Sequence, residues 1–266
     1  MANLIRSAKY SLFWDHNELM AYNINFTTIP AHQFFPQGTD IPLTVAGFDP
    51  ELATAKMSSY AHVSRTTLKL LVYLHFAMDP SHALYESTII SLTCVVFDIL
   101  GFQNDWQYLL KPHIIPLLIC NDVNKSAWLS VCELDQSNLL LVLLQVKPSM
   151  GESNVEARTV AGAIAAYQYN NKKRQEMGLH PLDAMTMPCM TMVGTRPAFY
   201  LVPVTKALNE AVVSGQFPSD RTEVLKCEVQ SDHNGGLEAP EYRGVALQYF
   251  VAFKSLAKSH WEKFLS

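Results

Sequence analysis

Charge is scarce in this 266-residue chain. Asp, Glu, Lys and Arg make up 17% of it, the net charge is −4 and the isoelectric point is about 6.1. A whole-molecule field that draws in nucleic acid is therefore missing, and any such binding needs a local basic patch. Long apolar runs are missing too. Leu139 to Leu144 is too short to span a bilayer, and Lys147 and Pro148 end it soon after. The start, Met1-Ala2-Asn3-Leu4-Ile5-Arg6, lacks the apolar stretch of a secretory signal, and residue 2 is not the glycine that myristoylation needs. Cysteine is sparse and unpaired in pattern. Cys94, Cys120, Cys132, Cys189 and Cys227 are an odd count without CxxC spacing, which reads as reduced core thiols of an intracellular, cytoplasmic or nuclear protein.

Several chemistries lose support the same way. Nine histidines are scattered without an HxH or HExxH pair, which disfavours zinc. No GxGxxG, P-loop or GxSxG stretch occurs, so nucleotide-cofactor, P-loop NTPase and α/β-hydrolase readings have nothing to rest on. Internal repeats, low-complexity tracts and long linkers are also missing, which points to a single domain over 1–266.

What is present is apolar material, 49% of the chain, enough for one large core. Residues 1–48 are aromatic and punctuated by proline, which suits an irregular arm, and Asp49-Pro50 opens a helix running to about Met78. Asp79 caps and Pro80 begins the next helix, which Gly101 closes. Strands are expected over 113–120, 127–135 and 138–147, the last two joined as a hairpin through Gln136-Ser137. Ser153 and Glu156 form a capping box for a helix to about Met177, ended by Gly178. Strands over 186–193 and 198–204, a short helix from the Thr205 cap to Gly215 and a final helix over 241–264 complete the chain. From residue 80 the order is helix, three strands, helix, strand, strand: an α/β fold with a mixed central sheet and flanking helices. The arm and first helix occupy 1–78, the core 79–204, and a helical and strand extension 205–266.

Three polar residues fall where burial makes them costly. Stepping from Glu86 by three and four gives Ile89, Ile90, Thr93, Phe97 and Leu100, so this carboxylate lies on or beside the packing stripe. Gln145 and Lys147 share one face of a Leu-rich strand. With Gln136-Ser137 as a two-residue loop, Trp128 opposes Gln145 and Ser130 opposes Leu143, all on that same face, while Glu133 and Asp135 point to the other. Lys172, Lys173 and Arg174, preceded by Gln168, Asn170 and Asn171, offer the one basic run. It suits a phosphate backbone or a helix C-terminus.

Four stretches carry a resemblance. They are Glu86-Ser87 opening a helix that ends at Gly101-Phe102, Ala127-Trp128-Leu129-Ser130-Val131-Cys132, Gln145-Val146-Lys147, and Ala163 through Asn171. Asn17 through Ile24 and Met192 through Tyr200 add to it. In that order they resemble a group of fungal proteins with PD-(D/E)XK nuclease-like features. The resemblance implies a restriction-endonuclease-like αβββαβ core in which a helix Glu, a strand Asp and the Glu of E-x-K bind Mg²⁺ or Mn²⁺, and the Lys orients the attacking water. Carried over, Glu86 is the helix acid and Lys147 the lysine. Gln145 replaces the motif acid, and Ser130 stands where the strand Asp is expected. Glu86 and Gln145 would be the metal ligands. Gln168, Lys172, Lys173 and Arg174 would face nucleic acid.

One carboxylate, one amide oxygen and one hydroxyl make a poor magnesium cage. The expectation is a degenerate site on a retained fold, weakly active or inactive, serving as a nucleic-acid or protein binding module. The alternative is an active metal-dependent DNA or RNA nuclease. Glu86, Gln145 and Lys147 are expected to converge in one cleft, with Lys147 paired to Glu86 and no cofactor bound. Ser130→Asp is expected to restore Mn²⁺ binding.

Overall fold

The densest strand patterning lies in the middle of the chain, and the sheet grows outward from it. The computed structural model describes residues 6–39, 47–58, 62–82, 85–103, 107–147, 154–230 and 235–265. After a short 3-10 helix (Ser11–Phe13) come α1 (His16–Ala21), β1 (Ile24–Thr28), α2 (Ala31–Phe34), α3 (Glu51–Thr54), α4 (Arg65–Met78) and α5 (Glu86–Ile99). Then follow β2 (Gln107–Leu110), β3 (His113–Ile119), β4 (Asp122–Leu129), β5 (Val131–Asp135), β6 (Leu140–Lys147) and α6 (Val155–Glu176). β7 (Ala184–Val193), β8 (Arg196–Thr205), α7 (Lys206–Ser214), β9 (Thr222–Glu228) and α8 (Pro240–Leu265) complete the order.

Seven strands form one sheet in the order β1-β9-β8-β7-β6-β5-β2. β1/β9 and β6/β7 are parallel and the other pairs antiparallel, so the sheet is mixed. β6 is an interior strand between β7 and β5, and its Leu140 through Leu144 are buried throughout. A strand covered on both faces needs this unbroken apolar run. On one face lies α6: Gln145 reaches toward Gly162, and Tyr200 donates to Glu156. On the other, Phe199 packs against Phe250 and Phe253 of α8, and Phe250 in turn against Phe97 of α5. The result is an α/β layer sandwich with flanking helices.

α6 is also covered from outside. β3 and β4 leave the main sheet as a two-stranded ribbon and lie on α6. Sandwiched between ribbon and sheet, α6 is rich in small residues (Ala157, Ala161, Gly162, Ala163, Ala165, Ala166), all buried. Three of its amides then act as backbone clamps. Gln168 bonds both N and O of Leu118, Asn170 both of Leu140, and Asn171 both of Leu182, at 2.8–3.1 Å. Each clamp satisfies a backbone pair that would otherwise be stranded inside.

Several boundaries differ from the sequence reading. The helix expected from Asp49-Pro50 to Met78 is two, because the chain leaves helical geometry at Ala55 and restarts at Arg65 with Ser64 as N-cap. The helix expected from Pro80 begins at Glu86; Asp79 instead caps a turn, accepting from the Ser81 N–H and hydroxyl. The strand expected over 127–135 breaks at Ser130, where β4 leaves for the ribbon. The loop after β5 is longer than two residues, since Asp135 N donates to Leu139 O and Asn138 takes φ 61. The loop slips the register by one residue, pairing Leu134 with Leu140, and a bulge between Glu133 and Leu134 slips it by one more, so that Cys132 pairs with Leu143 and Val131 with Leu144. The arm over 1–48 contributes β1 to the main sheet. The expected capping box falls on Ser153, outside the described residues. Thr205, Gly215, Gly101 and Gly178 cap as read, the three glycines at φ +66 to +79.

Candidate functional site

The longer hairpin loop and the bulge together decide what Ser130 and Gln145 can do. Slipping the register by two residues keeps the parity, so both still share a face, but now they lie across from each other. The Ser130 backbone N donates to Leu144 O at 3.1 Å, which sets the pairing. Ser130 Oγ then lies 3.4 Å from Gln145 Oε1, and it accepts from Val146 N at 3.1 Å. Gln145 Nε2 donates to Trp128 O at 2.6 Å. That carbonyl is left over where β4 peels away from the sheet. Both side chains are at most 1% exposed, closed in by α6, where a Cβ on Gly162 would approach Gln145 Nε2 at 3.7 Å. The hydroxyl and the amide are thus neutral, bonded and behind a helix. They close a strand break.

Glu86 lies elsewhere. The body of α5 packs through Phe97 against α8 on the face opposite Gln145, while its first residue reaches the start of α6. Glu86 is the first residue of α5, and its carboxylate meets Arg158 of α6 at 3.8 Å, with 41% of the side chain exposed. Among the described residues its ion-pair partner is Arg158, in place of the expected Lys147. The reason is helix geometry: at the N-terminus a side chain leans back off the end, toward the neighbouring helix start. Lys147 ends β6 on the Gln145 face, beside Val193 of β7.

On that face, between α6 and β7–β9, lies a charged network that the sequence reading missed. Lys226 bonds Glu156 at 2.8 Å and Glu228 at 2.6 Å. The Tyr200 hydroxyl donates to Glu156 at 3.2 Å and lies 3.4 Å from Thr191 Oγ1. Burial alone would depress the Lys226 ammonium, but its two carboxylate bonds together hold its pKa above the ordinary lysine range. Burial, reinforced by Glu156, pushes the Tyr200 phenol well up. Neither group is an activated base or nucleophile. A signal did exist: in Thr222-Glu223-Val224-Leu225-Lys226-Cys227-Glu228, Lys226 and Glu228 are two apart and so share a face.

No protein-family model matches the chain, and no curated protein matches it.

The basic run is only partly available at the surface. Arg174 is buried, donating to His180 O at 2.9 Å and to the Phe264 carbonyl near the end of α8. Lys173 pairs with Glu176 at 2.7 Å, and Gln168 clamps Leu118. Lys172 remains exposed, on the rim of a cleft of about 320 Å³ between α6 and α7 whose walls also carry Asp183, Lys206 and Glu210. That mixture of signs is no phosphate track.

The donor set does not fit a divalent metal. Mg²⁺ wants carboxylates beside its waters. Here the amide and hydroxyl are turned into the strand break and the one carboxylate faces a guanidinium. Among the described residues no group of three or more His, Cys, Asp or Glu could hold a metal ion. Nor is any helix among them long and apolar enough to cross a membrane, and all five cysteines are free thiols.

Proposed function

We propose that this chain keeps a restriction-endonuclease-like sheet, of the PD-(D/E)XK kind, as a non-catalytic binding module. The supporting observation is the Ser130–Gln145–Trp128 bonding, which takes up the two positions where active relatives hold metal-binding acids. The partner is a protein. The chain is net acidic, and of its basic run Arg174 is buried and Lys173 is paired with Glu176, which leaves Lys172 exposed. Meanwhile Tyr10, Leu12, Phe13 and Met20 stand 40–65% exposed around the first short helices.

Calorimetric titration with Mn²⁺ and Mg²⁺, run beside plasmid cleavage and gel retardation, tests this. Wild type, Glu86→Ala and Lys147→Ala should all give no saturable heat, no cutting and no retarded plasmid. Tight Mn²⁺ binding with cleavage that Lys147→Ala abolishes would establish the nuclease instead. Retardation without cleavage would make the partner nucleic acid.

A further inference from the structure

Glu133 sits on the face of the sheet opposite Gln145, between Leu109 of β2 and Val142 of β6. It is fully buried, and neither carboxyl oxygen has a hydrogen-bond partner. The α5–α8 layer covers it. An isolated carboxylate in such a place is among the costliest arrangements a core can hold, so the group keeps its proton. Burial pushes its pKa up to about 8, and the one opposing influence resolved is the ammonium of Lys254 on α8.

Lys254 is bound elsewhere. Its Nζ donates to Leu100 O at 3.2 Å, lies 6.0 Å from the Phe102 ring centroid, and would stand 3.3 Å from a Cβ added at Gly101. Leu100 is the C-cap residue of α5. The ammonium therefore closes α5 while lying within electrostatic reach of Glu133 and outside ion-pairing distance of it. The remaining titratable neighbours are accounted for among the described residues. Burial, with a smaller push from Lys258 further along α8, holds the Lys254 ammonium below the ordinary lysine range. On α5, Cys94 faces Lys111, and Asp98 pairs outward with Lys69.

We propose that Glu133, Lys254 and the Leu100 carbonyl form a proton-operated latch between the sheet and the α5–α8 layer. With Glu133 protonated, Lys254 caps α5. When the proton leaves to solvent base, the carboxylate becomes the stronger acceptor, because a bond between two charged groups is roughly twice as strong as one to a neutral carbonyl. The ammonium then moves from Leu100 O to Glu133. The last turn of α5 loses its cap, and α8 is drawn toward the sheet at Lys254. This latch is independent of the binding reading above.

The test is an NMR titration of the full chain, carrying ¹³C-labelled glutamate carboxyls and ¹⁵N-labelled amides. The Glu133 carboxyl should titrate near pH 8, and the amides of Leu100, Gly101 and Phe102 should shift with the same midpoint. In Glu133→Gln, which keeps a neutral polar side chain, those amides should no longer titrate there. In Lys254→Met they should also stay still, while the Glu133 midpoint rises. A Glu133 carboxyl that titrates in the ordinary range would overturn the latch. So would a high midpoint in wild type with Leu100–Phe102 unmoved, a result that needs neither variant to fold.

Discussion

Ser130 and Glu133 lie on one continuous stretch of chain, equally buried, and burial is resolved in opposite ways. At Ser130 the strand breaks, which frees the Trp128 carbonyl, and Gln145 and Ser130 bond the loose ends. At Glu133 the carbonyl that the adjacent bulge leaves over, Leu141 O, is already taken by Trp261 Nε1 at 3.0 Å, and the carboxyl has a proton in place of a partner. A polar side chain is cheap inside where the backbone has left something to bond, and costly where every nearby group is already taken. The two faces of one hairpin thus separate a structural polar cluster from a strained one.

The largest effect expected from this contrast is the pH dependence set by Glu133. Its pKa rises from 4.5 to about 8 on folding. Below pH 4.5 both folded and unfolded chains hold the proton. Between 4.5 and about 8 only the folded chain does, so stability falls as pH rises, and above 8 the loss is complete. The difference corresponds to a ceiling of about 5 kcal/mol. Glu133→Gln should flatten this fall in chemical denaturation measured across that window. An equally steep fall in the variant would assign the dependence to other groups.

The next effect comes from putting the missing acid back. Gln145→Glu restores the motif residue by type, but it aims a carboxylate at the Trp128 carbonyl, acceptor against acceptor. It should cost about 3 kcal/mol or more at neutral pH, and Mn²⁺ should not recover it. Ser130→Asp belongs to the same class. The sequence alone leads to the expectation that it creates a metal site; with position 130 fully enclosed, the opposite outcome is predicted. Thermal unfolding with and without Mn²⁺ decides both cases. A metal-dependent rise in Tm for either variant would show that the cleft opens to solvent.

Much of the scaffold was legible because it is written in local chemistry. The Thr205 cap and Gly215, the closing glycines 101 and 178, and the hairpin itself follow from turn residues and period. The face of Glu133 was also legible, since parity survives a register slip of two. Other features rest on distant partners. β1 reads as an arm because Asn25, Thr27 and Thr28 are polar, and it becomes a strand only through its parallel pairing with β9, some two hundred residues on. Gln145 looks like a ligand until the break at Ser130 supplies a carbonyl to bond. Gln168, Asn170 and Asn171 look like phosphate contacts until three separate backbone stretches arrive to be clamped.

The smallest effect is expected at Glu86, and that smallness is informative. Were this carboxylate buried beside Lys147, as the motif pattern suggested, neutralising it would leave an unpaired buried charge and cost about 3–5 kcal/mol. Instead it faces Arg158 at 3.8 Å from the rim of α5, with 41% of its side chain exposed. An ion pair that open to water is worth roughly 0–1 kcal/mol, and salt screens it further. Glu86 also sits in the first turn of α5, where the helix dipole favours a negative charge by a few tenths of a kcal/mol. Glu86→Gln should therefore lower stability by about 1 kcal/mol or less, with the loss shrinking as salt is added. Denaturation at low and high ionic strength measures it, and a loss above about 3 kcal/mol that ignores salt would return Glu86 to a buried site.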